Sequence, residues 1–477
     1  MVGEDRNGIP DAAFGPVHGA ADDHNLDDAL DHAIGALAGL ALGDALGMPT
    51  QSMSPSDIAR AYGGPVRGFV DADASQPIAP GMRARSVTDD TEQALLLAGE
   101  IIRGRGRIDL HRYARDLIDW EARMKARGSL DLLGPSTKRA LEALQRGVDP
   151  GMTGMTGTTN GGAMCAAPLG VAFVPGLELE RAAHGSCVVT HNTPQGHEST
   201  LLVALAVSLG IEWASHEAPG TMVAEPAGQA GAGTAGDDRF PVDRAMPAGR
   251  RASGVARVHA VLREAVRRLD GIERSGSYDL GHWSPKASVR ARVGRALEHA
   301  IAWSRPSLLS PSSSASSQTA GSAGPVPMAE SEGSQVRSAG ERDDADAFAA
   351  WIRGEVGVSV EANESVAAAF AVAAWFADRH FDGLVFAANL GGDTDTIAAM
   401  SGAMLGGILG MGVWPADEAA KVAQVNGIDP PDVAMRLLRV RTDVSRNEAD
   451  DGGDAFAGMD AGASRNAKEG GRSWLAA

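Results

Sequence analysis

Apolar residues recur at three- and four-residue spacing over three long stretches of the chain, roughly 25–215, 253–305 and 346–440. That period belongs to helices that bury one face. Leu30, Ile34, Leu37 and Ala41 fall on one such face, and Leu95, Ala98 and Ile102 on another. No convincing run alternates apolar and polar residues, so strands are not expected. The pattern predicts an all-α fold, a single compact helical domain over 26–440.

The pattern breaks where composition changes. Residues 216–252 are rich in Gly, Ala and Pro, and residues 306–345 contain the run Ser310-Pro311-Ser312-Ser313-Ser314. Such sequence cannot bury enough apolar surface to offset the entropy of ordering it, so both are expected to be flexible insertions in surface loops. The same argument predicts disordered tails at 1–25 and at 441–477, the latter with Asp450-Asp451-Gly452-Gly453-Asp454.

Glycines at 35, 39, 43 and 47 repeat every fourth residue, and Gly402, Gly406 and Gly410 do so again near the other end of the domain. Glycine costs about 1 kcal/mol against alanine inside a helix, so a repeated stripe predicts a compensating close approach of helix backbones. Ile397–Trp414 carries no charge and approaches the length of a membrane span. It is rich in Gly, Ala, Met and Ser and follows a cluster of carboxylates, which predicts a buried core helix instead.

Charge narrows the function classes. Acidic residues outnumber basic ones 61 to 43, for a net charge of −18, so no broad basic surface is expected to neutralise nucleic-acid phosphates. Cys165 and Cys187 are the only cysteines, too few for a disulfide framework or a four-cysteine zinc site. Met1–Ala21 is polar and acidic, without the apolar stretch of a secretory leader. A cytoplasmic protein, with neither nucleic acid nor membrane among its partners, is the expectation.

Two acidic clusters carry the chemistry. Thr88-Asp89-Asp90-Thr91-Glu92 stands immediately before the helical run Ala94–Ala98, and Asp393-Thr394-Asp395-Thr396 before Ile397–Met400. Thr and Asp are good helix caps, and acids complement the positive end of a helix dipole. Capping needs one acid, however, whereas adjacent carboxylates repel unless a cation neutralises them. Hard oxygen donors of this kind suit Mg²⁺ or Mn²⁺, and two such clusters match the composition of a two-metal site.

The order Gly43-Asp44-Ala45-Leu46-Gly47, Thr88-Asp89-Asp90-Thr91, Asn160-Gly161-Gly162-Ala163-Met164, Thr190-His191 and Gly391-Gly392-Asp393-Thr394-Asp395-Thr396 resembles the ADP-ribosylglycohydrolase family, which includes the dinitrogenase reductase-activating glycohydrolases. The resemblance implies an all-α fold with two Mg²⁺ or Mn²⁺ ions in a cleft. It further implies Thr88, Asp89, Asp90, Asp393, Asp395 and Thr396 as metal ligands. Asn160, Gly161, Gly162 and Met164, with His191, would meet the substrate, an ADP-ribosyl or other ribosyl compound. Small residues in that loop let backbone N–H groups approach an anion. Asp44 matches a family acid, with a substrate role or a buried hydrogen-bonding role both open.

Two departures bear on substrate. Gln51 stands where the family commonly has a flap glutamate, and an amide cannot take up a proton. Cys165 stands where many members have arginine. No side chain is therefore assigned as the catalytic base; a metal-activated water fills that role in the expected mechanism. The expected activity is hydrolysis of a ribosyl C1 glycosidic bond in ADP-ribosylated protein or an ADP-ribosyl compound. The alternatives are a hydrolase of smaller ribosyl compounds such as nucleosides, or a noncatalytic ADP-ribose-binding relative.

Overall fold

The computed structural model describes residues 23–126, 133–216, 248–271, 288–304 and 339–457. Every regular element in them is helical; the only extended pairings among the described residues are two isolated antiparallel bridges, Met53 with Gly392 and Thr159 with Glu361. The first third of the chain forms α1 (Asp23–Gly47), α2 (Pro55–Tyr62), α3 (Asp89–Arg103), α4 (Leu110–Ala126) and α5 (Pro135–Gln145). Short helices α6 (Pro150–Thr153), α7 (Gly161–Met164) and α8 (Ala167–Ala172) lead into α9 (Leu177–Cys187) and α10 (Pro194–His216). The remainder comprises α11 (Ala248–Gly271), α12 (Val289–Ser304), α13 (Ala339–Trp351), α14 (Ala362–Trp375), α15 (His380–Ala387), α16 (Thr394–Leu409), α17 (Ala416–Asn426) and α18 (Pro430–Ala457).

Helices α1, α10, α14 and α16 form the centre of one continuous core. The glycine stripes face each other there. A Cβ on Gly35 would lie 2.6 Å from the Gly406 carbonyl oxygen, and one on Gly39 would collide with the backbone of Gly402. The two helices thus meet backbone to backbone from Gly35 to Gly47, which abuts Asp395. The helix made from the uncharged stretch is buried along almost its whole length. α1 and α10 are also long and apolar enough to cross a membrane, and 94% and 78% of their most apolar windows are buried inside the fold.

Four expected boundaries move. α18 continues to Ala457, past the tail boundary at 441, and Arg441 is buried with its guanidinium on the Gly170 and Phe173 carbonyls and on Glu212. A cation that satisfies several carbonyls can be carried inside the fold, which composition does not report. α11 begins at Ala248 and α13 at Ala339, each inside an expected insertion, and α1 begins at Asp23. Residues 1–22, 217–247, 305–338 and 458–477 lie outside the described residues, as do 127–132 and 272–287 from stretches expected to pack.

Candidate functional site

The two acidic clusters begin two helices, α3 and α16, yet neither supplies its own helix cap. Thr88 and Asp393 occupy the N-cap positions and make no side-chain capping bond. Asp44, from α1, does the work for α3. Its carboxylate accepts the backbone N–H and the hydroxyl of both Thr88 and Thr91, with the Thr91 hydroxyl at 2.6 Å. A cap borrowed from another helix leaves Asp89 and Asp90 free of that task.

The borrowed cap fixes where the acids point. Asp90 Oδ2 lies 3.2 Å from the Thr88 hydroxyl and accepts the Thr396 hydroxyl at 3.3 Å, so the two clusters meet. Asp89, Asp90, Asp393 and Asp395 are all buried, with Thr88 and Thr396 beside them. One oxygen each from Asp44, Asp90 and Asp395 lies within 4.8 Å of the others. Around a Mg²⁺ with oxygens at about 2.1 Å, neighbouring and opposite ligands are about 3 and about 4.2 Å apart, so three oxygens gathered this closely are near the spacing that one such cation imposes.

Two atoms test the fit more sharply. Asp90 Oδ1 and Asp395 Oδ2 are buried and have no hydrogen-bond partner. A buried carboxylate oxygen left unpaired costs several kcal/mol unless protonated or neutralised by a cation. Without one, burial and the neighbouring carboxylate charges hold Asp89, Asp90 and Asp395 well above the usual carboxylate range. Burial pushes Asp44 and Asp393 up to about 6, against the hydrogen bonds they accept.

Opposite the acids lies the glycine-rich loop. Asn160 donates from its amide nitrogen to Asp393 Oδ2 at 2.5 Å and to Ser365 Oγ at 2.9 Å. Gly161 sits against the His191 ring, where a Cβ would come within 2.5 Å of Cε1, and Gly162 sits against the Thr200 hydroxyl. His191 bridges two hydroxyls, Nδ1 to Thr190 at 2.8 Å and Nε2 to Thr159 at 3.0 Å. Burial, with a smaller effect from the Arg139 charge, lowers it to about 3, so the ring is neutral and holds the loop. His197 stacks edge-on with His184.

The two departures are differently placed. Gln51 is buried and its Oε1 has no partner, while its carbonyl accepts from Gln76 Nε2 at 3.3 Å. The next residue ties the turn to the acids: Ser52 N–H donates to the Gly392 carbonyl at 2.7 Å, and Gly392 N–H to Met53 at 3.0 Å. Gly392 has a φ of 73°, and a Cβ there would strike the Val358 carbonyl, so no other residue suits the approach. Cys165 is buried, and burial, with the charges of Asp90 and Asp89, raises its thiol well above the usual range. Such a thiol is protonated and not a nucleophile.

The chain between α13 and α14 was not singled out by any motif, yet it spans the site. Asp393 N–H donates to the Val358 carbonyl, Asn160 N–H to the Val360 carbonyl, and Ala362 N–H to the Thr158 carbonyl. Ser365, a turn into α14, completes it. Only Gly357, at φ 92°, and Ser359 hint at a break before α14, and neither marks a site. An open cavity of about 540 Å³ lies at the far end of α3, between Gly104–Arg112 and Asp149–Gly151. None of the clustered acids at the starts of α3 and α16 lines it.

Comparison with known proteins places these features in a family. A model of ADP-ribosylglycohydrolases matches residues 25–447. Over 181 residues the chain is 34% identical to YegU, an uncharacterized protein of Escherichia coli strain K12, covering 38% of this chain and 52% of that one. It is 30% identical over 208 residues to the ADP-ribosylarginine hydrolase Tri1 of Pseudomonas putida strain GB-1, covering 40% of this chain and 50% of that one. Over 179 residues it is 28% identical to ADP-ribosyl-(dinitrogen reductase) glycohydrolase of Rhodospirillum rubrum, covering 37% and 57%. The matches thus span about half the length of these relatives. A solved ADP-ribosylglycohydrolase-related protein complex aligns over 87% of this chain and 99% of its own, with a TM-score of 0.46 and 21% identity. The match to the family model over most of the chain settles membership: this protein belongs to the ADP-ribosylglycohydrolase family.

Proposed function

We propose that this member of the ADP-ribosylglycohydrolase family is a divalent-cation-dependent hydrolase that cleaves the C1 glycosidic bond of a ribosyl group, in ADP-ribosylated protein or a small ADP-ribosyl compound. The observation that carries the reading is the pair of buried, unpartnered oxygens, Asp90 Oδ1 and Asp395 Oδ2, in a cluster built from both acidic motifs. A structural role would have left those oxygens on backbone N–H groups, as Asp44 is. The donor set proposed for two Mg²⁺ or Mn²⁺ ions is Thr88, Asp89, Asp90, Asp393, Asp395 and Thr396, with one Asp44 oxygen close enough to join it. Bound there, the ions supply positive charge that holds ribose hydroxyls, activates a water and stabilises charge as the bond breaks.

The chain's own groups do the rest. Asn160 bonds Asp393, and Gly161 and Gly162 follow it against the His191 ring and the Thr200 hydroxyl; with Met164 they are the residues proposed to meet the substrate. His191 shapes that loop through Thr159 and Thr190 and, being neutral, adds no charge to it. Arg139, tethered to Ser136 Oγ and the Thr156 carbonyl, stands beside the same loop and offers a cation where Cys165 offers none. Gln51 can hydrogen-bond a hydroxyl or water through Oε1 but cannot accept a proton.

The decisive assay offers the purified protein ADP-ribosyl-arginine, ADP-ribosyl-serine, free ADP-ribosyl compounds and plain nucleosides, with Mg²⁺, Mn²⁺ or EDTA. Release of free ADP-ribose that EDTA abolishes is the expected result. Cleavage of nucleosides alone would move the substrate to a smaller ribosyl compound, which the neutral Gln51 and Cys165 favour. No cleavage of any substrate would leave a binding protein.

A further inference from the structure

Two buried side chains far from both acidic motifs in sequence, Asn160 and Ser365, brace one of the acids. Asn160 spends both amide hydrogens inside the protein, on Asp393 Oδ2 at 2.5 Å and on Ser365 Oγ at 2.9 Å. A carboxylate only accepts, so the orientation of the amide is set by chemistry. Ser365 in turn donates to the Glu361 carbonyl at 3.1 Å, one turn back on its own helix. All three side chains are buried.

The backbone repeats the connection. Val358 and Val360 are two residues apart on the segment that leads into α14; the first accepts from Asp393 N–H at 2.8 Å and the second from Asn160 N–H at 3.0 Å. The segment is itself anchored. Ser359 donates to Glu364 Oε2 at 2.7 Å, and Arg292 holds the Val356 carbonyl at 2.9 Å. Asp393 and Asn160 are therefore held in mutual register twice, through side chains and through a strap that binds both.

We propose that Asn160 is a positioning residue for Asp393, braced by Ser365 and by the 357–362 strap, and that this brace sets the site's affinity for a divalent cation before any substrate arrives. The inference rests on the metal-site reading above and deepens it. The bond from Asn160 occupies Asp393 Oδ2 and so restricts rotation of the carboxylate. Partners that orient a ligand in this way typically carry a 10- to 100-fold share of metal affinity.

The test is calorimetric titration of the full chain with Mn²⁺, without substrate, on wild type, Asn160→Ala, Ser365→Ala and the double variant. Asn160→Ala should bind Mn²⁺ about 10- to 100-fold more weakly. Ser365→Ala should lose about 2- to 10-fold, as expected for one hydrogen bond. The double variant should be no weaker than Asn160→Ala, because the serine acts through the asparagine. Unchanged Mn²⁺ affinity in Asn160→Ala, with the effect confined to KM, would make Asn160 a substrate contact and overturn the proposal. Additive losses in the double variant would overturn the brace. Should Asn160→Ala fail to fold, Ser365→Ala decides, and undiminished affinity there sinks the idea. Wild type that takes up no Mn²⁺ removes both the brace and the metal-site reading, whereas binding wild type with indifferent variants removes the brace alone.

Discussion

The hydroxyl of Thr396 donates to Asp90 Oδ2 at 3.3 Å, joining side chains 306 residues apart in the chain. Around that bond, Asp44, Asp89, Asp393 and Asp395 are buried together. The protein therefore carries into its core a group of like charges that a purely structural fold would exclude.

Removing one charge should stabilise the cation-free protein and abolish its response to cations. Asp90→Asn and Asp395→Asn each delete a carboxylate with an unpartnered oxygen. In EDTA each variant should be more stable than wild type by about 1–3 kcal/mol. The rise in Tm that wild type gains from Mn²⁺ should disappear. Thermal melts with and without Mn²⁺ measure both; variants less stable than wild type in EDTA would mean that the carboxylates are structural.

Stability and cation affinity should depend on pH in opposite senses. Asp44 and Asp393 rise from 3.8 to about 6 on folding, so in that window the folded protein holds protons that the unfolded chain has released. Their contribution to cation-free stability is complete below 3.8 and is lost as pH rises through about 6, on the order of 3 kcal/mol for each group. Cation uptake needs ionised carboxylates and strengthens over the same range. Melts between pH 4 and pH 8 should show the EDTA curve falling relative to Asp393→Asn while the gain from Mn²⁺ widens. A gain from Mn²⁺ that is flat with pH would uncouple these acids from the cation.

Gln51→Glu should reveal which way that side chain faces. Its Oε1 is buried without a partner, so an ionised glutamate adds an unpaired charge worth about 1–3 kcal/mol of lost stability in EDTA. If it faces the acids, Mn²⁺ should restore that loss and bind at least as tightly as in wild type. A loss that Mn²⁺ does not restore would place Gln51 away from the ions.

Close approach of α1 and α16 should be intolerant of a single methyl group. Gly39→Ala and Gly402→Ala each put a Cβ into the opposite backbone, for which no side-chain rotation gives relief. A loss of about 3 kcal/mol or more is expected, read as denaturant midpoint. Gly254→Ala, where the nearest atom is Leu409 Cδ2 at 3.7 Å, should be close to neutral by comparison. Equal effects at the three sites would refute the packing argument.

The helical period, the glycine stripes and the two acidic motifs are local properties, and the sequence by itself determined them. Residues three and four apart share a helix face whatever else the chain does, and adjacent carboxylates need a counter-charge wherever they sit. The order of the motifs was enough to indicate the family. Composition served less well at the boundaries: Arg441 looked like the start of a polar tail because the carbonyls and Glu212 that accept its guanidinium belong to distant segments.

Only the tertiary structure decided which acids are alike and which are not. Asp44 and Asp90 are both buried aspartates, but Asp44 meets the N–H groups of a helix 44 residues on, while Asp90 Oδ1 meets nothing. Asn160 stands in a loop whose glycines point to an anion, yet its amide belongs to Asp393, 233 residues away. The 357–362 strap has no motif at all, because it works through backbone carbonyls that every residue possesses. A hydrogen bond is a property of two groups, and a sequence displays the groups without their distances; the fold supplies the distances, and with them the chemistry.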